Sequence, residues 1–327
     1  VRRWAALPSM PAALEAVPFE RLAADERLSG LARFILGDDV YIVDGTTDKI
    51  VEATASGTDT VYAAASYVLS DYLERLTLTG TAALNATGNA EANILTGNSG
   101  ANSLSGGIGN DTLNAGWGSD ALNGGAGADS MVGGMGNDVY YVDNALDVVV
   151  EAADAGTDLL RVTTHATLGA NVENMAMLST GAYRGTGNGL HNVMTGNAGK
   201  NTLSGMAGDD TLNGAAGADV LTGGIGADHF VFSSITAGND TITDFNAVNG
   251  GAAEGDVLQF TGLLVGSFAY RGAAAFTAGS NNSEARFDTT TKKLLIDVDG
   301  NGVAEFALTL TGMDAASDVT AANFLWT

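Results

Sequence analysis

The chain of 327 residues lacks cysteine, contains three prolines, and sets only 14 lysines and arginines against 38 aspartates and glutamates. Without cysteine, disulfide bonds cannot stabilise the fold and no cysteine nucleophile exists. The net charge of -24 argues against nucleic acid, anionic membranes and polyanionic sugars as partners, because each of these is itself negatively charged. The sequence has no apolar run of about 18 residues, so we expect no transmembrane segment.

Catalytic signatures are also missing from the sequence. The three histidines, His165, His191 and His229, form no HExxH zinc site, and no GxSxG nucleophile elbow occurs. Carboxylate pairs are numerous, but we assign nearly all of them to turns in which their oxygens bind a metal ion, as argued below. We therefore predict that the chain is not an enzyme.

The N-terminal residues lack the uninterrupted apolar stretch of a signal peptide, because all three prolines and several charges interrupt them. From Phe19 to Leu36 the apolar residues have helical spacing. We predict a short helical arm or cap over residues 1–36. Three roles remain open for it: covering the end of the repeat, contacting a neighbouring subunit, or linking to a larger protein.

Glycine, by contrast, is abundant, and most of it recurs with a period of nine residues. Six in-frame units run from Gly88 to Tyr141 and five from Gly187 to Val231, with the consensus Gly-Gly-x-Gly-x-Asp-x-apolar-x. A unit this small cannot bury a core alone and must stack on its neighbours. Glycines at positions one, two and four reach positive φ and predict a tight turn. The last three residues predict a strand with one apolar side chain pointing inward.

Two such units complete one coil of a parallel β-solenoid, which makes the fold class all-β. Residues 18 apart then lie one above the other, at a strand spacing of about 4.8 Å. Asp111 would lie beside Asp129, and Asp120 beside Asp138, so that like charges repel. A hard divalent cation between the turns reverses this effect. Calcium takes six to eight oxygen ligands, and carboxylates and glycine carbonyls supply such oxygens.

The predicted calcium ligands fall into four groups. The main carboxylates occupy position six of regular units: Asp111, Asp120, Asp129, Asp138, Asp210, Asp219 and Asp228. The carbonyl ligands belong to Gly106, Gly109, Gly124, Gly127, Gly133, Gly136, Gly205, Gly208, Gly214, Gly217, Gly223 and Gly226. Asparagine replaces aspartate without its charge at Asn93, Asn102, Asn192 and Asn201, so these sites should be weaker or empty; Asn102 and Asn201 are the candidate amide ligands. Further carboxylates lie in less regular coils: Asp39, Asp48, Asp59, Asp147 and Asp158.

A longer repeat encloses the nonapeptides. The segment DVYIVDGTTDKIVEATASGTDTV at Asp39 returns as DVYYVDNALDVVVEAADAGTDLL at Asp138, an offset of 99 residues. Asp59 and Asp158 return to position six only after a slip of two residues. We predict one solenoid over residues 37–232, with about eleven coils and a length of roughly 50 Å at one strand spacing per coil.

The nonapeptide resembles the RTX repeat of type I secreted bacterial proteins, and residues 233–327 are similar to the C-terminal portion of serralysin-type proteins. The resemblance implies calcium as cofactor, the type I secretion machinery as partner, an extracellular location, and a C-terminal β cap that carries the secretion signal. Asp244 and Asp256 are candidate ligands of a last calcium ion. Asp297 opens an EF-hand-like run, but position twelve is Leu308, which favours a strand–turn–strand instead.

The sequence thus predicts a secreted calcium-binding structural protein that folds on calcium after export. We expect it to self-assemble as a homo-oligomer or polymer, in a surface layer, matrix or filament at the cell surface. One alternative is the calcium-folding secretion module of a larger secreted enzyme. Another is a calcium-dependent carbohydrate-binding protein, for which Trp117 and Tyr183 are the candidate surface aromatics.

Overall fold

The computed structural model describes residues 2–5, 37–52, 57–234, 238–246, 255–263, 265–313 and 315–327. Within these residues the protein consists of β-strands and turns, with two short 3₁₀ helices at Ala316–Asp318 and Ala321–Asn323. The predicted N-terminal helix lies outside the described residues. No helix of the described part is long and apolar enough to cross a membrane.

The chain divides into two compact units, Val1–Asp158 and Leu159–Thr327. The first unit contains strands β1 (Arg2–Ala5), β2 (Asp39–Val43), β3 (Thr60–Ala63), β4 (Tyr67–Val68), β5 (Arg75–Leu78), β6 (Asn85–Thr87), β7 (Ile94–Thr96), β8 (Ser103–Ile108), β9 (Thr112–Trp117), β10 (Ala121–Ala126), β11 (Ser130–Met135), β12 (Val139–Val142) and β13 (Val148–Val150). One sheet has the order β1-β2-β3-β5-β7-β9-β11-β13, and the other has the order β4-β6-β8-β10-β12. From β3 onward consecutive strands alternate between the sheets, so the chain coils. The first pair, β1 with β2, is antiparallel.

The second unit repeats this alternation as far as β25, after which β26, β27 and β28 stay in the same sheet as β25. Its strands are β14 (Leu159–Val162), β15 (Ala166–Thr167), β16 (Asn174–Met177), β17 (Arg184–Thr186), β18 (Val193–Thr195), β19 (Thr202–Ala207), β20 (Thr211–Asn213), β21 (Val220–Ile225), β22 (His229–Phe232), β23 (Thr241–Ile242), β24 (Val257–Phe260), β25 (Phe268–Tyr270), β26 (Ser283–Asp288), β27 (Lys293–Asp297), β28 (Phe306–Leu310) and β29 (Phe324–Trp326). One sheet has the order β14-β16-β18-β20-β22-β24-β29, and the other has the order β15-β17-β19-β21-β23-β28-β27-β26-β25.

The strand register confirms two nonapeptides per coil. In one sheet of the first unit Leu122 pairs with Leu104 on one side and with Tyr140 on the other. In the facing sheet Leu113 pairs with Met131 in the same way. These inward side chains are buried in the core. The prediction of a parallel all-β solenoid with one apolar side chain per unit is therefore confirmed.

The strands of the most regular coils are longer than the sequence predicts. Strands β8 to β11 each have six residues rather than three, because the glycines after the apolar position also pair. Gly125 pairs with Gly107 and Ala126 with Ile108. Since these glycines have no side chain, successive turns approach closely enough to extend the parallel ladder into the turn.

Parallel stacking continues beyond Phe232 through β23 and β24. An antiparallel sheet of β26, β27 and β28 follows, which confirms the strand–turn–strand prediction around Asp297. The aromatic rings of Phe232, Phe260 and Trp326 pack together, with 4.5 Å between the ring centroids of Phe260 and Trp326. The domain boundaries at 36/37 and 232/233 stay predictions.

Candidate calcium sites in the turns

Position six of each unit immediately precedes a strand, and its side chain is held by the neighbouring coil. Oδ1 of Asp129 accepts a hydrogen bond of 2.8 Å from the main-chain N–H of Asp111, 18 residues earlier. Oδ1 of Asp138 accepts one of 2.7 Å from Asp120 N–H. We call these rows of side chains, each bonded to the main chain of the coil before it, the aspartate ladder. The ladder satisfies one oxygen of each carboxylate without any cation.

The same bond recurs in both units. It joins Asn93 to Asp111, Asn102 to Asp120, Asp129 to Asp147, Asn192 to Asp210, Asn201 to Asp219, and Asp210 to Asp228. It also joins residues 20 apart, Asp39 to Asp59 and Asp138 to Asp158, at 2.8 Å each. The predicted slip of two residues is therefore confirmed. The ladder extends past the last nonapeptide, where Asp240 accepts from Asp219 and Asp256 from Asp228.

The second carboxylate oxygen has a different environment. Several ladder aspartates of the described chain have a buried Oδ2 without a hydrogen-bond partner: Asp59, Asp111, Asp120, Asp129, Asp138, Asp210 and Asp219. Burying an oxygen of a carboxylate without a partner is unfavourable. These rows of oxygens are therefore incomplete without a proton or a cation.

The first glycine of each unit leaves room for that oxygen. A Cβ on Gly106 would overlap Oδ2 of Asp111, with the carbonyl oxygen of Gly124 also in contact. Glycines at positions two and four have positive φ, as at Gly107 (112°) and Gly109 (128°), whereas Gly106 does not. The expectation that all three glycines serve positive φ is thus wrong for position one, where the need is space.

Because this space is filled by a carboxylate oxygen, a side chain at position one should destabilise the fold. Gly106→Ala is expected to destabilise the calcium-loaded protein by about 1–3 kcal/mol, because the methyl group collides with a fixed carboxylate and a main-chain carbonyl. Gly189→Ala is the matched control, since a Cβ there meets nothing within 4 Å. Urea unfolding of both variants in calcium measures the difference. Equal stabilities would show that position one tolerates a side chain.

Two units place a residue other than glycine in a left-handed turn. Met206 has φ of 82° and Ala215 has φ of 67°, both at position two. Met206→Gly is expected to raise the stability by about 1 kcal/mol, because the left-handed conformation is strained for an L-residue. Its side chain is 52% exposed, so little burial is lost. Urea unfolding compares this variant with the parent, and a loss of stability would contradict the strain.

Burial also changes the proton affinity of the ladder. Desolvation raises the pKa of Asp138 and Asp219 to about 6 and that of Asp210 to about 7, from 3.8. The negative charge of Asp228 contributes to the higher pKa of Asp210. Desolvation raises the pKa of the ladder carboxyls of Asp111, Asp120 and Asp129 as well. The turns disfavour bare carboxylates and favour their neutralisation.

Main-chain carbonyls complete the oxygen set. The carbonyl oxygen of Gly124 lies against Gly106 of the preceding coil, and that of Gly109 lies against Gly127 of the following one. The carbonyls of Gly223 and Gly208 have the same arrangement in the second unit. Carboxylate oxygens without hydrogen-bond partners and close carbonyl oxygens are the donors that calcium prefers, so the residues present fit this cation.

Comparison with known proteins agrees with this donor set. A family model described as the RTX calcium-binding nonapeptide repeat (4 copies) matches residues 87–122, 115–149 and 195–230. The chain contains RTX calcium-binding nonapeptide repeats. Calcium is therefore its cofactor.

Among solved structures, the chain is similar to the extracellular lipase LipA from Serratia marcescens, at 18% identity and a TM-score of 0.21. The match covers 84% of this chain and 45% of the lipase, so the chain spans less than half the length of that structure. No curated protein matches the chain.

Some predicted ligands of the RTX turns have other bonds. Oδ2 of Asp147 accepts from the main-chain N–H groups of Asp143 and Asn144, at 3.3 and 3.1 Å, and Asp48 closes an equivalent turn on Asp44 and Gly45. Their carboxylates shape these loops. Which of the predicted carboxylates and carbonyls coordinate calcium stays a prediction.

The asparagine-bearing turns are hydrogen-bonded by their own amides. Oδ1 of Asn102 accepts from Asn98 N–H at 2.8 Å, and its Nδ2 donates to the carbonyl of Leu84 at 3.2 Å. Nδ2 of Asn98 donates to the carbonyls of Thr79 and Ala82. Asn201 accepts from Asn197 and donates to Gly181 in the same way. The side-chain amides thus donate to main-chain carbonyl oxygens that a calcium ion would otherwise need. This agrees with the expectation that the asparagine-bearing turns bind calcium more weakly, which stays a prediction.

Sequence reasoning missed several acidic residues near the ladder. Oε2 of Glu74 accepts from Asp59 N–H at 2.8 Å and so occupies a ladder position. Asp240 is buried in the same role. Their signal was a carboxylate immediately before a strand. Among the described residues, three clusters bring carboxylate oxygens within 4.8 Å of one another: Asp39/Glu52/Asp59, Asp138/Glu151/Asp158 and Asp297/Asp299/Glu305.

The aromatic residues of the carbohydrate alternative are not brought together within one unit. Trp117 is exposed and belongs to the first unit, whereas Tyr183 is half-buried and belongs to the second. Two of the histidines accept main-chain hydrogen bonds: Nδ1 of His165 accepts from Arg184 N–H at 3.0 Å, and Nδ1 of His191 accepts from Asp209 N–H at 2.7 Å. Nδ1 of His229 lies 3.4 Å from Oε1 of Gln259.

Proposed function

We propose that this chain is an extracellular calcium-binding structural protein that folds when it meets calcium after export. The observation that carries the proposal is the row of buried Oδ2 atoms without hydrogen-bond partners in the described part of the aspartate ladder. Because those oxygens are costly when ionised and bare, the folded state depends on what neutralises them. Calcium ions between successive turns do so at neutral pH.

The location follows from calcium supply. Extracellular calcium modules typically bind at about 10⁻⁴–10⁻³ M, a concentration found outside cells. A chain of net charge -24 repels itself before the metal binds. We propose that it stays unfolded inside the cell, passes through the type I secretion machinery, and folds outside.

A calcium titration of the chelated protein tests this proposal. Circular dichroism is expected to show cooperative gain of β-structure at submillimolar to millimolar calcium, with little gain in magnesium, which demands a smaller octahedral shell. Asp219→Asn should shift the calcium midpoint upward. Asp44→Asn, which removes a charge from an exposed turn, is the control. Equal β-structure in chelator and in calcium at neutral pH would refute calcium-dependent folding.

Self-assembly is the second part of the proposal. Trp117 is 68% exposed, Met135 is 49% exposed, and the two pair in register on neighbouring strands. An apolar pair at the tips of polar turns supports a contact surface for further copies of the chain.

Negative-stain electron microscopy with millimolar calcium and with chelator tests assembly. Sheets or filaments that form only with calcium, and that a Trp117→Ser/Met135→Ser variant forms less readily, would support a surface-layer, matrix or filament protein. Monodisperse single particles in calcium would instead favour the calcium-folding secretion module of a larger secreted enzyme. Light scattering measures the mass in both conditions.

A further inference from the structure

One carboxylate cluster of the first unit differs in build from the nonapeptide turns. Asp138, Glu151 and Asp158 offer ligand oxygens that all lie within 4.8 Å of one another. All three residues are buried, with at most 7% of their surface exposed. The ladder supplies Asp138 and Asp158, but no RTX consensus position calls for a glutamate. Glu151 therefore needs its own explanation.

Strand register places Glu151 where a regular unit has its first glycine. Val150 of β13 pairs with Val132 of β11, so the next residues along the two strands are Glu151 and Gly133. Position one in regular units provides only a main-chain carbonyl and space for the neighbouring Oδ2. Here the same position adds a third carboxylate to the space between two coils.

An independent feature points to a missing ligand in this cluster. Asp138 is 1% exposed, and its Oδ1 accepts from Asp120 N–H, while its Oδ2 is buried without a hydrogen-bond partner among the described residues. That oxygen is directed at the cluster, because a Cβ on Gly133 would overlap both Asp138 Oδ2 and the hydroxyl of Tyr140. The Tyr140 hydroxyl in turn donates to Glu151 Oε1.

The arrangement occurs a second time, 99 residues earlier. Asp39, Glu52 and Asp59 also bring their oxygens within 4.8 Å. Oδ2 of Asp59 is buried and accepts no hydrogen bond from the described chain, and the Tyr41 hydroxyl donates to Glu52 Oε1. Each 99-residue repeat thus carries the same three carboxylates and the same tyrosine.

The dimensions suit calcium. Calcium–oxygen distances of about 2.3–2.6 Å separate oxygens on opposite sides of the ion by up to about 5 Å, and the oxygens of each cluster lie within 4.8 Å. Three carboxylates also bring more negative charge than a regular turn, and ligand charge raises calcium affinity.

We propose that each 99-residue repeat holds one calcium site of a second kind, in which Glu151 or Glu52 supplies a third carboxylate and Tyr140 or Tyr41 orients it. This inference rests on the proposed function, because calcium is the cation in both. These two sites bind more tightly than the nonapeptide sites and fill first as calcium rises. Glu151 and Glu52 are ligands, whereas the tyrosines are positioning residues.

Equilibrium dialysis of the full chain against micromolar to millimolar calcium measures how many ions bind and how tightly, and it tests the proposal. Glu52→Gln/Glu151→Gln is expected to remove the two tightest sites or weaken them at least tenfold, while the remaining sites and the β-structure at saturating calcium persist. Glu91→Gln, a substitution in an asparagine-bearing turn, is the control. An unchanged isotherm for the double variant would overturn the proposal. Failure of the proposed function would differ, since the parent chain itself would then neither bind calcium nor fold on it.

A second measurement tests the proposal even if the double glutamine variant does not fold. Terbium replaces calcium in oxygen sites and is sensitised by a nearby tyrosine, so the first two equivalents should luminesce on tyrosine excitation. Tyr140→Phe keeps every carboxylate and is expected to lower that early signal by about half, with the number of bound ions unchanged. If the early signal is unaffected in Tyr140→Phe, terbium fills other sites first and the proposal is wrong.

Discussion

Removal of calcium at pH 7.5 is expected to abolish most of the β-structure, and acidification of the same calcium-free protein to about pH 5 is expected to restore part of it. In the folded state burial raises the pKa of Asp138 and Asp219 to about 6 and that of Asp210 and Asp240 to about 7. In the unfolded chain these groups titrate near 3.8. Between the two values the folded state binds more protons than the unfolded state.

The sign of the pH dependence follows from that difference. Stability falls with rising pH wherever the folded state binds more protons. The metal-free protein should therefore be most stable below about pH 4 and lose stability as pH rises to about 7. Each tenfold increase in the proton affinity of one carboxyl corresponds to about 1.4 kcal/mol of this loss. Above this window calcium takes the place of the protons, and binding at pH 6 should release them.

Circular dichroism and urea unfolding in chelator from pH 4.5 to 8 measure this effect. Light scattering is needed alongside, because the sequence pI is about 4.1 and repulsion between molecules fades near it. In calcium the same pH series should be nearly flat above pH 6. A calcium-free stability that rises with pH would contradict the role assigned to the buried carboxylates.

Asp129 is expected to show opposite effects of one substitution in calcium and in chelator. Its Oδ1 accepts the N–H of Asp111, and its Oδ2 is buried without a hydrogen-bond partner in the described structure. Asp129→Asn can keep the first bond but removes the charge. It should weaken calcium binding and destabilise the calcium-loaded protein, yet stabilise the metal-free protein at pH 7.5, where the carboxylate is costly.

Asp129→Ala separates the two roles of the side chain. It removes the ligand and also leaves the buried N–H of Asp111 without its acceptor, which costs a further loss of about 1–3 kcal/mol. The alanine variant should thus be less stable than the asparagine variant both with calcium and without it. Paired urea curves for the two variants give this comparison. If Asn and Ala behave alike, the ladder bond contributes nothing and metal alone holds the aspartates.

The nine-residue period by itself determines the architecture of this protein. Units of this length can bury Leu104, Leu113 and Leu122 only by stacking on one another. The sequence period therefore also defines the repeating unit of the tertiary fold. The position-six aspartates had to form rows, because residues 18 apart share a register. The chemistry of those rows favours a hard divalent cation, and the resemblance to the RTX repeat implies that the cation is calcium. The repeat also reveals the slip of two residues at Asp59.

Only the tertiary structure decided what each atom does. The alternation of strands does not reveal that Oδ1 of Asp111 is used by the main chain and Oδ2 is not, since this depends on the spacing between coils. It does not reveal that Gly106 provides space rather than positive φ. The alternation of strands also does not reveal that Glu151 lies near Asp138. The nine-residue consensus breaks before Glu151, and only the pairing of β13 with β11 places this residue. A strict repeat specifies how the coils stack. In the irregular coils, the side chains that meet depend on how neighbouring coils pack, which the repeat does not specify.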